Sequence, residues 1–316
     1  MKHDYVICIP TYKRHKICQT QTLTTLKNNS IDSAKIYIYV ANQDEYNIYS
    51  QTLQEHFYNK IIIGKKGLVQ QREFIMNQWT QGEYIVFLDD DIKFIDLKLS
   101  SLFNSHTLDY FIKYAFNQCK QNDAFIWGVY PVYNEHFRAP VPEISTDLKY
   151  IVGAFYGIIN RPNLRSIKLT ITRKDGQKED VERTIKYFIN DAIVLRFNRI
   201  GFITQYYGRE GGLGTYANRL NPMKKACNKL IKKYPEYGYL KTRKKGMCDV
   251  GLRKIHAFTM SNKPEISNSD DDTKNNNNKN NKNNKKISKN KNKTNKNNKK
   301  NSKNKNKTNK NKNNKK

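Results

Sequence analysis

Three consecutive aspartates, Asp89–Asp91, end the apolar run in "YIVFLDDDIKF" (Tyr84–Phe94). Hard divalent cations prefer oxygen ligands. Mg2+ or Mn2+ is typically held by one or two carboxylates together with phosphate oxygens of a substrate. In an extended chain the side chains of Asp89 and Asp91 fall on one side. The pair can therefore hold a metal against a diphosphate, and a solvated acidic turn accounts equally for the same three residues. A second acidic pair opens a helical stretch at "KED" (Lys178–Asp180). A carboxylate there serves either as a cap or first-turn residue or as a general base facing a substrate.

Other residues of chemical interest are more weakly specified. "PTYKR" (Pro10–Arg14) offers a rigid proline, the Thr11 hydroxyl and the Tyr12 ring to a base and ribose. Lys65, Lys66 and Arg72 suit a diphosphate, and suit a solvated face as well. "YYGREGGLG" (Tyr206–Gly214) lacks the Lys-Ser/Thr ending of a phosphate-binding P-loop, so it reads as a loop closing over a sugar or acceptor. His256, in "RKIHAF", is a lone histidine, and such residues are more often ordinary than metal ligands.

The elements that must position these groups alternate. Strand-like runs at Tyr5–Pro10, Lys35–Ala41, Lys60–Gly64 and Glu83–Ile92 are separated by helical stretches around Thr22–Asn29, Asp44–Phe57 and Leu68–Trp79. That alternation predicts a parallel α/β sheet, and near-continuous apolar strands predict helices on both faces. Ligands of open sheets bind at the carboxyl ends of the strands. There "PTYKR", "GKKG" (Gly64–Gly67) and the three aspartates converge. Beyond Leu97 the pattern loosens. Strands are expected within Phe125–Tyr133, Ile167–Gly176, Ala192–Phe197 and Gly201–Tyr207, and a helix over Glu179–Asn190, all built onto the same sheet.

The 316 residues are 37% hydrophobic, ample for a sizeable core, and carry a formal charge of +30. Eighteen of those charges are lysines from Lys274 onward, where there is no acid, leaving +12 on the rest. The tail is nearly all Asn and Lys, and "SKNKNKTNKN" at Ser288–Asn297 recurs at Ser302–Asn311. With almost no apolar side chains it is expected to be disordered. It is either a drifting low-complexity extension of an A/T-rich coding region or a polycationic arm with salt-sensitive affinity for nucleic acid. The bias fits a large DNA virus or an A/T-rich protist. Five scattered cysteines lack metal spacing and read as reduced thiols. The apolar run near the N-terminus is broken by Pro10 and charge, and no run approaches the length of a membrane span. The expectation is a cytoplasmic or nuclear chain, neither secreted nor membrane-bound.

Seven stretches follow one another in an order that resembles a GT-A-fold glycosyltransferase, and in wording the TET-associated glycosyltransferase family, relatives of the base J glucosyltransferase. They are "IPTYKRHKICQTQTLTTL", "YVANQDEYNIYSQ", "IIIGKKGLVQQREFIMNQWTQGEYIVFLDDDI", "WGVYPVYN", "LKYIVGAFYGIINR", "KEDVERTIKYF" and "VLRFNRIGFITQYYGREGGLG". The likeness spans Tyr5–Phe258. It implies a GT-A-type mixed, mostly parallel sheet flanked by helices, one catalytic domain over residues 1–260, and a disordered tail over 261–316.

The resemblance also implies the chemistry. Mn2+ or Mg2+ would sit at Asp89 and Asp91 on the diphosphate of a UDP-sugar, with His256 near a C-terminal metal ligand. Pro10, Thr11, Arg14, Arg72, Asp89 and Asp90 would bind the nucleotide-sugar. Asp180 would take the proton from the acceptor hydroxyl in an inverting displacement. Tyr206, Arg209, Gly211 and Gly212 would shape the acceptor side. One departure is Gln71-Arg72-Glu73, where Arg-Asn is expected and the Asn is missing. The implied acceptor is a 5-hydroxymethylpyrimidine in DNA, and the sugar a hexose such as glucose. A protein or glycan acceptor is the alternative, and a non-catalytic nucleic-acid-binding protein on a degenerate fold is a second one.

Overall fold

The computed structural model describes residues 4–204, 216–243 and 247–257. Its first half is the expected alternation. Strands β1 (Val6–Pro10), β2 (Ile36–Val40), β3 (Lys60–Ile63) and β4 (Tyr84–Leu88) are mutually parallel, in the order β3-β2-β1-β4. Helical segments cross between them. α1 (His15–Cys18) and α2 (Thr24–Asn28) run together through a π-helical stretch, Gln19–Leu23. α3 (Gln43–Thr52) starts where the Asn42 side chain accepts a hydrogen bond from the Glu45 amide, with Asp44 and Glu45 in its first turn. α4 (Leu68–Gln78) precedes β4.

The second half adds β5 (Ile92–Asp96), α5 (Leu108–Gln121), β6 (Ile126–Val129), α6 (Glu135–Arg138), β7 (Ile144–Ser145), β8 (Phe155–Ile159), α7 (Glu179–Asp191), β9 (Leu195–Phe197), β10 (Gly201–Thr204), α8 (Tyr216–Lys233), β11 (Gly238–Thr242) and β12 (Cys248–Leu252). The sheet continues from β4 as β8-β6-β9-β7. β8 is antiparallel to both neighbours, β9 is parallel to β6, and β7 is antiparallel to β9. Six of the eight strands therefore share one direction, the mixed and mostly parallel sheet expected. Two pairings depart from a single sheet. β5 and β10 form a separate antiparallel ribbon, and β11 and β12 a separate hairpin.

Strand alternation sorts the core onto two faces. Tyr5, Ile7 and Ile9 of the first strand region join Val86 and Leu88 of β4 in one cluster. Val6 and Cys8 join Ile85 and Phe87 in the other. Both faces are buried, which is why these strands read as unbroken apolar runs. α5 covers the first face with Leu108, Phe111, Ile112, Ala115, Phe116 and Cys119, at helical spacing and all buried. A third cluster joins Val181 and Ile185 of α7 to Met223, Cys227 and Leu230 of α8 and Val250 of β12.

The strand expected over Ile167–Gly176 does not form. Thr170, Ile171 and Thr172 donate their backbone N–H groups to the carboxylate of Glu182, at 2.8, 3.0 and 2.8 Å, instead of to a neighbouring strand. The five cysteines are unbonded; Cys8, Cys18, Cys119 and Cys227 are buried. No helix among the described residues is long and apolar enough to cross a membrane. The Asn/Lys tail from residue 261 lies outside the described residues.

Candidate active site

A crevice of about 350 Å³ opens at the carboxyl ends of β1 and β4. Pro10, Thr11, Arg14, Arg72, Asp89, Asp90, Asp91 and Asp180 all line it. The fold brings these eight residues, distant in sequence, onto one crevice. Tyr206, Arg209, Gly211 and Gly212 lie outside the described residues. His256 is not on the crevice. Its ring is exposed, and Nδ1 lies 3.2 Å from Asp147 Oδ1.

The aspartate turn is fixed from three sides. Its backbone is clamped by the π-helical stretch: Thr22 Oγ1 donates to the Asp89 carbonyl at 2.7 Å and accepts from the Ile92 amide at 2.9 Å. Thr25 Oγ1 donates to the Ile92 carbonyl at 2.9 Å. A π-bulge inside a helix often marks a functional site; here it carries the residue that grips the turn. On the third side, the Asp89 amide donates to the Ala154 carbonyl at 3.0 Å.

The three side chains then separate. Asp90 turns inward, accepting from Thr11 Oγ1 at 2.5 Å and from Arg14 Nη1 at 3.2 Å. Asp91 shares Arg14 at 3.1 Å and accepts from the Thr204 hydroxyl. Asp89 faces Arg72 Nη2 at 3.0 Å and is the most open, with its side chain 37% exposed against 6% and 11% for Asp90 and Asp91. In this arrangement Asp89 and Asp91 engage different cations, so they are not an extended-chain pair facing one way. Thr11 and Arg14 are themselves held by Tyr49, whose hydroxyl lies 2.7 Å from Thr11 Oγ1 and accepts from the Arg14 amide at 2.9 Å.

Burial pushes Asp89 up to about 7, aided by Asp91, Asp90 and Glu179 and opposed by Arg72. Burial also pushes Asp90 up to about 6, against the pull of Arg14. Like charges this close resist joint ionisation, and a cation among them relieves the repulsion. Asp89 offers one open hard oxygen, Oδ2, with no hydrogen-bond partner among the described residues, while both oxygens of Asp91 are engaged by Arg14 and Thr204. That donor set fits a Mg2+ or Mn2+ completed by phosphate oxygens. Among the described residues there is no cluster of three or more His, Cys, Asp and Glu side chains arranged to hold a metal alone.

The far wall is the N-terminal turn of α7. Its N-cap position is Lys178, in a left-handed conformation and without a side-chain cap, so neither acid of "KED" is the N-cap. Asp180 receives hydrogen bonds from the Tyr150 hydroxyl and, at 2.9 Å, from the Val181 amide. Glu179 is buried and turned to Arg72 and Arg183, the latter at 2.6 Å. Arg72 thus bridges Asp89, Glu179 and the Gly153 carbonyl, the last at 2.7 Å. Burial is outweighed by Glu179, and the Arg72 guanidinium is held well above its ordinary value. Gln71 is structural. Its amide donates to the Val40 carbonyl at 3.0 Å and accepts from the Lys65 amide at 2.6 Å, tying the end of β2 to the loop before α4.

Sequence reasoning missed Tyr150, Tyr49 and Gly153. Gly153 lets the walls meet, since a Cβ there would sit 2.8 Å from Glu179 Oε1 and 3.2 Å from Arg72 Nη1. The glycine punctuation of "YIVGAFYGIINR" was its only signal.

No protein-family model matches the chain, and no curated protein matches it. Solved structures similar in fold include S. aureus TarS, residues 1–349, at 15% identity over 73% of this chain and 66% of that one, with a TM-score of 0.42. The mannosyltransferase PcManGT from Pyrobaculum calidifontis, in complex with GDP-Man and Mn2+, is 12% identical over 73% of this chain and 65% of that one, with a TM-score of 0.41. Glucosyl-3-phosphoglycerate synthase from Mycobacterium tuberculosis, with phosphoglyceric acid, is 9% identical over 80% and 88%, with a TM-score of 0.43. The chain thus spans slightly less than two thirds of the first two. Similarity at these scores assigns no activity to this chain.

Proposed function

We propose that this chain is a metal-dependent, inverting glycosyltransferase of GT-A type that moves a hexose from a UDP-sugar to an acceptor hydroxyl. The observation that carries the reading is the meeting of Asp89, Asp91 and Asp180 on one crevice at the carboxyl ends of parallel strands. Its volume, about 350 Å³, is in the range of small-molecule sites. The sequence resemblance supplies the donor class.

Asp89 and Asp91 would hold a divalent cation, which would neutralise charge on the diphosphate of the donor. The chain's own residues do the rest. Thr11 and Arg14 fix the aspartate turn against β1. Lys65 and Lys66 on the crevice rim complement the phosphates. Asp180 accepts the proton of the acceptor hydroxyl as its oxygen bonds to the anomeric carbon and the bond to UDP breaks. Tyr150 holds that carboxylate in place through its hydroxyl. A single displacement needs no enzyme nucleophile and inverts the anomeric centre.

For the acceptor we propose the hydroxyl of a 5-hydroxymethylpyrimidine in DNA. The resemblance and the +12 charge outside the lysine tail support it. Such a base is reached when flipped or single-stranded. The test is incubation with Mn2+, UDP-sugars and DNA containing 5-hydroxymethyluracil or 5-hydroxymethylcytosine, with mass spectrometry of the digested nucleosides. A hexose-sized gain supports donor and acceptor together. UDP release without a gain on DNA keeps the transferase and moves the acceptor to a protein or glycan. Tight DNA binding with no turnover of any UDP-sugar leaves the non-catalytic alternative.

A further inference from the structure

A second cavity, of about 450 Å³, lies among α4, β8, α7 and the segment 161–173. It touches the first crevice only through Arg72 and Glu179, which line both. Its lining is mostly apolar, with Met76, Ile158, Leu164 and Leu169, and carries several basic side chains. Five cations line it (Arg72, Arg161, Lys168, Arg173 and Arg183) against two carboxylates, Glu73 and Glu179. Both carboxylates are already taken. Glu73 pairs with Arg173 at 2.7 Å, and Glu179 with Arg72 and Arg183.

One guanidinium in this wall is only half used. Arg183 is 6% exposed and stacks on the Tyr156 ring, 3.8 Å from its centroid. Nη1 donates to Glu179, while Nε and Nη2 have no partner among the described residues. Nε–H and one Nη2–H form the side edge of the guanidinium, a fork that matches both oxygens of a carboxylate or phosphate. One turn further along α7 the Tyr187 hydroxyl, 2% exposed and also lining the cavity, has no partner either. Buried donors of this kind are nearly always satisfied. Arg161 is held by Asp191 at 2.7 and 2.6 Å, which leaves Lys168 as the lining cation with no acidic partner among the described residues. Two such unsatisfied side chains beside it point to an absent acceptor that is anionic.

We infer that this cavity binds a small organic anion. Its carboxylate or phosphate accepts from the Nε/Nη2 edge of Arg183 and from the Tyr187 hydroxyl, and its apolar body packs on Met76, Ile158, Leu164 and Leu169. The three donor atoms are shut off from solvent as the side chains stand, so seating the anion takes a small turn of the guanidinium on its stacked contact with Tyr156. Lys168 and Arg173, on exposed positions, draw the anion in. The inference rests on this cavity alone and does not depend on the glycosyltransferase reading.

The test is calorimetric titration of the full chain with benzoate, phenyl phosphate and inorganic phosphate, against sodium chloride at matched ionic strength. Saturable binding of benzoate or phenyl phosphate is expected, with inorganic phosphate weaker for want of an apolar body. Whichever organic anion binds more tightly identifies the headgroup. Tyr187→Phe removes only an unpartnered hydroxyl, so it keeps the apo melting temperature and weakens binding by tenfold or more. Arg183→Gln abolishes binding. Three results overturn the inference: no saturable heat beyond the chloride control, equal affinity in Tyr187→Phe, or competition by UDP, which assigns the anion to the first crevice.

Discussion

Asp180 and Glu182 lie two positions apart on α7, so their side chains leave the helix about 200° apart. Glu182 is fully buried and accepts from three backbone amides and from Thr172 Oγ1 at 2.6 Å. Removing it strands those donors, each at a cost of about 1–3 kcal/mol. Glu182→Ala is therefore expected to lower stability by about 3 kcal/mol or more, read as a lower midpoint in urea. Asp180 has the opposite profile, facing the crevice and oriented by Tyr150. Asp180→Asn keeps the shape and loses the base. Transfer is expected to fall about 10²–10⁴-fold with nucleotide-sugar affinity unchanged, as read by single-turnover kinetics beside a binding titration. Near-normal turnover would remove Asp180 from the mechanism. The acid pair of α7 was legible as a pair. The resemblance named Asp180 of the two; what the residues alone did not show is that Glu179 is held by Arg72 and Arg183, one of them 107 residues distant in sequence.

At the scale of elements, the segment from Tyr150 to Gly153 joins the wall of the aspartate turn to the α7 wall. It contributes a hydroxyl to Asp180, a carbonyl to Arg72 and, at Gly153, an absence of side chain. Gly153→Ala places a methyl 2.8 Å from Glu179 Oε1, and the carboxylate is held there through Oε1 by Arg72 and through Oε2 by Arg183. The expected result is a stability loss of about 1–3 kcal/mol with a larger loss of transfer activity, measured on the same preparation by denaturation and turnover. Strands β1, β2 and β4 were legible because each buries both faces, and β3, at the sheet edge, through its run of three isoleucines. α5 was passed over although its apolar spacing is regular: Tyr110 is aromatic yet 44% exposed, and it blurs the contrast between faces. α8 carries Pro222 inside the helix, a residue that normally argues for a break. The false strand over Ile167–Gly176 failed for a non-local reason, the carboxylate of Glu182.

Across the whole molecule, Asp109 ties α5 to the residues that lead into β1 and β2. It accepts from the Tyr5 hydroxyl and Lys35 Nζ, both at 2.7 Å, and pairs with Lys113 at 2.9 Å. Partial burial works against its charge, but Lys35, Lys113 and Tyr5 outweigh it and lower Asp109 to about 2 from an ordinary 3.8. A carboxyl lowered on folding adds stability that is full above about pH 4 and lost as pH falls through about 2. The site is partly solvated, which limits the effect to about 1 kcal/mol. Asp109→Asn is expected to be less stable than wild type at pH 6, with the gap narrowing as pH falls from 4 toward 2, followed by urea midpoints at each pH. A gap that stayed constant would show that the charge contributes nothing.

The central claim is that the crevice at Asp89 and Asp91 binds a nucleotide-sugar through a divalent cation. Calorimetric titration of the full chain with UDP-glucose, with Mn2+ and with chelator, tests it most directly. The account predicts saturable binding with Mn2+, its loss with chelator, and its loss in an Asp89→Ala/Asp91→Ala variant that still folds. Binding of equal strength in chelator, or in the double variant with Mn2+ present, would contradict it.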